Sequence, residues 1–328
     1  MRKKWIILLV ALLGSFTLSY FLIPKLRREK DTQFSQLCIK GSYFEPVGII
    51  ESLSHIPCVH IQIGDKLAKA KVDLGFYGDI SLPVELLQEL DEKSFIRRRS
   101  YFGIRGKRYD GNVYKIPKIK IGKMVLFQAK AQEIDPEFET DATVLKGEGS
   151  SSTGHLGRIG WALFHNFNFF MDSENALIAF CDSLDTLRKR GYPVDSFIET
   201  PLLLDRNAIE FQAMTEKGSI RCLLDTGATW NMLNKDIEGG SNDHMIFNSD
   251  TIDQHSVLNP ENSDQMTFDP ENVYDMPVFK IGKKEFGPIK LNRIKTPLEI
   301  DAIIGMEFLD SKLVFIDFPN RKIYFYEK

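Results

Sequence analysis

Two aspartates in this chain sit in matching local settings. Asp225 lies in Leu223-Leu224-Asp225-Thr226-Gly227-Ala228, and Asp73 lies in Lys71-Val72-Asp73-Leu74-Gly75-Phe76. In each case an apolar run delivers a carboxylate to a turn, and the glycine two residues on lets the backbone approach a partner closely. Two carboxylates held about 3 Å apart cannot both ionise cheaply, so they share one proton. Such a pair can take a proton from a water and donate one to a carbonyl oxygen, with no covalent intermediate. That chemistry needs both groups, so the chain must bring Asp73 and Asp225 together across 152 residues.

An internal repeat explains how it does so. "NVYKIPKIKIGK" begins at Asn112 and "NVYDMPVFKIGK" at Asn272, 160 residues apart. "FFMDSENALIAF" begins at Phe169 and "VFIDFPNRKIYF" at Val314, 145 apart, and Gly160 and Gly305 keep that second offset. Two pairs in the same order at nearly the same offset mean that the chain is two copies of one lobe. Asp73 and Asp225 then occupy equivalent loops. The first loop departs from the second at one position: Leu74 stands where the second has the hydroxyl of Thr226.

The elements that must position these loops are mostly strands. "CVHIQIG", "LAKAKVDLG", "NVYKIPKIKIG", "NALIAF", "AIEFQAM", "SIRCLLDTG" and "RKIYFYE" carry period-two or β-branched character. "DSENALI" and "DFPNRKI" predict matching hairpin turns. The clearest helical segment is "PVELLQELDEKSF", opened by Pro83, with Leu86, Leu87 and Leu90 on one face. The expected fold is mostly β, with an N-terminal lobe over residues 36–185, a charged Gly-Tyr-Pro linker over 186–197 and a C-terminal lobe over 198–328. "EFETDATVLKGEGSSSTGH" predicts a surface insertion in the first lobe.

Residues 1–30 stand apart. Trp5 to Ile23 is 19 residues without a charge, long enough to span a bilayer, and it ends in "SYFLIP", a poor cleavage site. It predicts an uncleaved signal anchor. Lysines and arginines flank both ends, so charge alone leaves the orientation open; a short N-terminal tail favours export of the long C-terminal part.

Composition removes other classes. A net charge of −3, from 42 basic and 45 acidic residues, gives no field for nucleic acid. The four cysteines form no C-x-x-C pair, and Cys58 and Cys222 lie in apolar runs that suit buried thiols. The six histidines form no H-E-x-x-H or local ligand pair, and "GEGSSSTG" is no nucleophile elbow. No metal or other cofactor is called for.

The loops, their spacing and the "AIIGMEFL" segment at 302–309 resemble the aspartic proteases of the pepsin and retropepsin type, in the two-lobed single-chain form. "VDLGFYGDISLP" is similar to the bacterial retropepsin-like pattern, whereas "GRIGWALF" departs from the closing motif because Arg158 stands at an apolar position. The resemblance covers roughly residues 48–328. It implies two acid-protease β-barrel lobes, a peptide or protein substrate, a monomeric active unit, and Asp73 and Asp225 as the catalytic pair. It also implies active-site loops built from Leu74, Gly75 and Phe76 and from Thr226, Gly227 and Ala228. A glycine-punctuated flap is expected over 101–111, with its tip near Arg105–Gly106 and with Tyr101 or Tyr109 as its tyrosine. "NPENSDQMTFDPEN" is the counterpart in the second lobe. In this family the loop hydroxyl donates a hydrogen bond to the opposite loop; Thr226 can do so and Leu74 cannot. A second function is therefore open, a membrane-tethered module that holds peptides without cutting them. Retention of both carboxylates argues against it.

Overall fold

Alternation of β-branched and polar residues makes this chain a set of long, twisted hairpins, and tight turns join them where glycines take positive φ. The computed structural model describes residues 44–49, 51–53, 56–102, 108–134, 156–164, 167–204, 207–234, 273–294, 296 and 299–328. All of them belong to one unit running from Ile39 to Lys328. Segment 1–30, the flap tip at Arg105–Gly106, the 137–155 insertion and the "NPENSDQMTFDPEN" loop lie outside the described residues. Among those described, no helix is long and apolar enough to cross a membrane.

The strands of the first half are β2 (Glu51–Leu53), β3 (Ile56–Ile63), β4 (Lys66–Asp73), β5 (Ile80–Pro83), β6 (Ser94–Phe102), β7 (Arg108–Ile121), β8 (Met124–Ile134) and β9 (Leu156–Gly160). They order as β2-β3-β4-β9-β5-β8-β7-β6, and β3 also pairs with β7, which curls the sheet back on itself. The second half repeats the plan with β13 (Glu210–Thr215), β14 (Gly218–Leu224), β15 (Met232–Asn234), β16 (Val273–Met276), β17 (Lys280–Ile281), β18 (Lys284–Glu285), β19 (Ile289–Ile294) and β20 (Ala302–Ile304). Their order is β16-β19-β15-β20-β14-β13-β17-β18. In both halves the strand ending at the loop aspartate runs parallel to the strand before the repeated glycine. A short strand antiparallel to the latter follows the loop.

A third sheet belongs to both halves. β1 (Phe44–Gly48), β11 (Leu177–Cys181) and β10 (Asn168–Asp172) continue through β21 (Lys312–Asp317) and β22 (Lys322–Glu327) to β12 (Ile198–Pro201). At its centre β10 and β21 pair antiparallel, with Phe170 opposite Phe315. The hairpin turns on either side are copies. Asp172 accepts from the backbone and side-chain amides of Asn175, and Asp317 does the same with Asn320. The residues that close them, Ala176 and Arg321, both take positive φ.

One expectation needs correction. The helical segment after the first loop is only one turn and a fraction, α1 (Val84–Gln88); Leu86, Leu87 and Leu90 are buried as expected. It stops early because the Lys93 ammonium caps the Leu90 carbonyl at 2.7 Å and the chain turns into β6. The linker region carries structure of its own. It holds α2 (Leu184–Lys189), whose N-cap Ser183 accepts from the Thr186 amide, and a 3₁₀ turn at Val194–Ser196. Leu187 and Val194 pack with Phe170, Phe315 and Tyr324 against the shared sheet. Asp185 in the first turn of α2 and Arg188 and Lys189 in its last complement the helix dipole.

Because the central sheet takes strands from both halves, the lobes share a core. Phe315→Ala removes a fully buried ring there. It is expected to cost about 3–5 kcal/mol and to lower the stability of both halves together. Urea unfolding followed by far-UV circular dichroism and by tryptophan fluorescence should give one coincident transition, displaced in the variant; two transitions would show that the lobes fold independently.

Candidate active site

The loops after β4 and β14 meet at the junction of the lobes. The Asp73 and Asp225 side chains come close enough for each carboxyl to feel the other. Each lies against the glycine of the opposite loop. A Cβ placed on Gly75 would stand 2.6 Å from Asp225 Oδ1, and one on Gly227 would stand 2.6 Å from Asp73 Oδ1. Nothing larger than hydrogen fits at either position. This close approach is the physical reason for Asp-x-Gly in both loops.

The backbone around the two aspartates is repeated closely. The Phe76 amide donates to the Asp73 carbonyl and the Ala228 amide to that of Asp225, both at 3.2 Å. The Trp161 amide then bonds the Phe76 carbonyl, and the Met306 amide bonds that of Ala228. A buried polar residue fastens each loop to the repeated glycine. Asn231 Oδ1 accepts from the Gly305 amide at 3.0 Å, whereas Asp79 accepts from the Gly160 amide through its backbone carbonyl at 3.1 Å. Asp79 spends its carboxylate on the Lys130 amide, 2.8 Å away.

The lock between the loops is one-sided. Thr226 Oγ1 accepts from the Leu74 amide at 3.0 Å and donates to the Val72 carbonyl at 2.7 Å. One hydroxyl thus makes both bonds across the interface. Leu74 has no accessible surface and contributes packing instead.

Arg158 breaks the symmetry further. Its Nε lies 3.2 Å from Asp73 Oδ2, with the two side chains only 10% and 11% exposed, and its guanidinium lies 5.9 Å from the Phe76 ring centroid. Lys71 is the register partner of Arg158 on the β4–β9 pair, and it too is buried. The corresponding residues on β14 and β20 are Leu223 and Ile303, in an apolar cluster with Ala228, Met232, Ile294 and Ile300. The floor of one loop is cationic and that of the other is hydrocarbon. The sequence marked Arg158 only as a misfit in an apolar motif and gave no sign of Lys71; aligning the repeats position by position would have exposed both.

Burial, then the negative charge of Asp73, push the Asp225 carboxyl up to about 8, against the Gly227 amide and Arg158, which act in the other direction. The Gly227 amide donates to Asp225 Oδ1 at 2.7 Å.

Of the flap candidates, Tyr101 and Tyr109 face each other across the β6–β7 hairpin, with rings stacked at 5.6 Å. Tyr109 is buried, which suits a hairpin support rather than an exposed tip. The hairpin reaches the first loop through Arg99, whose guanidinium lies 5.8 Å from the ring centroid of Tyr77. Tyr77 in turn packs on Trp161, which crosses to the other lobe by donating to the Asn207 carbonyl and stacking on Phe318. Cys58, Cys181 and Cys222 are buried free thiols. Among the described residues, no cluster of side chains is arranged to hold a metal ion.

No family model matches the chain, and no curated protein sequence does. The solved structure of basic 7S globulin from soybean is similar over 87% of this chain and 94% of its own, at 12% identity and a TM-score of 0.52. A likeness at that identity concerns the fold alone, which is aspartic-protease-like.

The raised Asp225 makes stability depend on pH. Its folded value of about 8 lies above the ordinary 3.8. The contribution of the protonated group is therefore complete below about pH 3.8 and is lost as pH rises through about 8. Asn cannot titrate, so the stability difference between wild type and Asp225→Asn should shift steadily in favour of the variant over that range. Denaturant midpoints measured for both proteins from pH 4 to 9 check this; parallel curves would mean that Asp225 titrates alike in the folded and unfolded chains.

Proposed function

We propose that this chain is an aspartic endopeptidase of the pepsin and retropepsin type, cleaving peptide bonds with a water activated between Asp73 and Asp225. The observation that carries the proposal is the apposition of these two side chains, each seated against the opposite glycine. One proton shared by the pair gives a base for the water and an acid for the scissile carbonyl oxygen. Displaced charge then moves between two fixed carboxyls in a site that the packed loops keep largely dry. Both halves come from one chain, so the active unit is a monomer. The β6–β7 hairpin, joined to the Asp73 loop through Arg99 and Tyr77, is the flap that covers the substrate. The apolar run from Trp5 to Ile23 anchors the protein as a single-pass segment, with the catalytic unit on the extracytoplasmic side.

The second reading is a peptide- or protein-binding module of the same fold, impaired in catalysis. Leu74, which cannot donate across the interface, is the observation that favours it. A fluorogenic peptide library assayed from acidic to neutral pH separates the two. Cleavage that disappears in both Asp73→Asn and Asp225→Asn, with folding retained, supports the endopeptidase; substantial cleavage in either variant removes the pair from the mechanism.

Leu74 sets an expectation for rate. A hydroxyl at this position would add a hydrogen bond worth about 0.5–1.5 kcal/mol net. Losing the buried Leu side chain would forfeit roughly 1.5–3 kcal/mol. Stability therefore changes little or falls slightly in Leu74→Thr. Positioning is more sensitive, since a misplacement of about 1 Å can cost on the order of a hundredfold in rate. Turnover in Leu74→Thr should rise by more than any gain in Tm would suggest; unchanged or lower turnover in a folded variant would mean that Leu74 belongs to a site already at its optimum.

A further inference from the structure

We propose that Arg158 is a positioning residue that holds Asp73 as the ionised member of the carboxyl pair, so that the shared proton resides on Asp225. The inference rests on the endopeptidase reading for its kinetic consequence but not for its electrostatic one.

Three observations carry it. Arg158 Nε is 3.2 Å from Asp73 Oδ2, and both side chains are withdrawn from water, where a charge pair is little screened. Nothing about the fold requires a cation there. In the other lobe, Ile303 occupies the same register beneath Asp225, in an apolar cluster. A buried ion pair gains little or no stability over well-packed hydrocarbon, because desolvation offsets its attraction. Finally, the substitution is on one side only. Two like carboxyls in equivalent surroundings would share the proton evenly; one with a guanidinium beside it and one above hydrocarbon do not.

The other groups facing Asp73 agree with this division. Lys71, two residues back on β4 and in register with Arg158, adds a second positive charge to the same side. Asp225 is the carboxyl opposed to it across the interface. Thr226 contributes a neutral hydroxyl already committed to the Leu74 amide and the Val72 carbonyl. Asp79 of the same loop turns its carboxylate to the Lys130 amide, and Arg99 from the hairpin stands over Tyr77. The high value of Asp225, about 8, is consistent with a proton kept there at neutral pH. In the peptidase, Asp73 is then the base that takes the proton from water, and Asp225 is the acid that donates to the carbonyl oxygen.

The test compares the full chain, solubilised in mild detergent, with Arg158→Met and Arg158→Lys. Infrared titration of ¹³C-aspartate-labelled protein follows the two carboxyls without needing any activity, with Asp73→Asn and Asp225→Asn to assign the bands. Removing the positive charge favours the protonated form, so in Arg158→Met the carboxyl pair as a whole should ionise at higher pH. Arg158→Lys should restore most of it. The acid limb of the pH–rate profile for peptide cleavage should move upward with it and by more than the alkaline limb, so the bell narrows. Should Arg158→Met fail to fold, the double variant Lys71→Leu/Arg158→Ile, which reproduces the Leu223/Ile303 pair, is expected to fold and to show the same rise. A carboxyl-pair titration that stays put in a folded variant would overturn the proposal. A titration that moves in a protein with no cleavage at any pH would support the role of Arg158 and overturn the endopeptidase reading.

Discussion

Two carboxyl groups that touch and are largely removed from water set the terms for the rest of this structure. Both cannot be charged at once, and neither would sit there by choice. Each must be pressed into place by its own loop, and each loop must approach the other closely enough to exclude any side chain at Gly75 and Gly227. A duplicated lobe meets that demand economically. The same strand–loop–strand unit, used twice and turned to face itself, offers two carboxylates at matching depth. The six-stranded sheet shared by both halves, with β10 against β21, fixes the distance between them.

Much of this was legible because the decisive features are local. The repeat at Asn112 and Asn272 reports turns with positive φ at Gly122 and Gly282, and the repeat at Phe169 and Val314 reports the paired Asp–Asn turns. A tight turn leaves its signature in a few adjacent residues. The shared sheet was not legible, since nothing in "NFFMD" names "KLVFID" as its neighbour; strand pairing is settled by which apolar faces remain to be covered. The linker shows a different failure. It was marked by charge and by Gly-Tyr-Pro alone, yet Ser183, Asp185, Arg188, Lys189 and Gly191 together spell the start and stop of a helix. Composition was weighed there and position was not.

The two loops divide their labour unequally. Thr226 alone ties them, accepting from one backbone group and donating to another, so a single hydroxyl gives the interface two directional bonds. The Leu74 amide keeps its partner whatever side chain it carries, because Thr226 Oγ1 accepts from it. By the symmetry of the loops, the hydroxyl missing at position 74 would have bonded the backbone of the Thr226 loop, so the loss falls on that side and the packing of a fully buried Leu74 offsets it.

What lobe one lacks in directional bonding it has in charge. The Lys71–Arg158 pair stands where lobe two has Leu223–Ile303, directly beneath the loop with the missing hydroxyl. A hydrogen bond fixes the backbone of a loop, whereas the Arg158 contact acts on the carboxylate oxygen of Asp73 itself. The divergence between the lobes is thus concentrated where the first aspartate is held. A duplicated site begins with two equivalent carboxyls, and chemistry that needs one acid and one base gains from making them different. Here the difference is built into the floor of the site, one side cationic and the other apolar, rather than left to whatever substrate arrives.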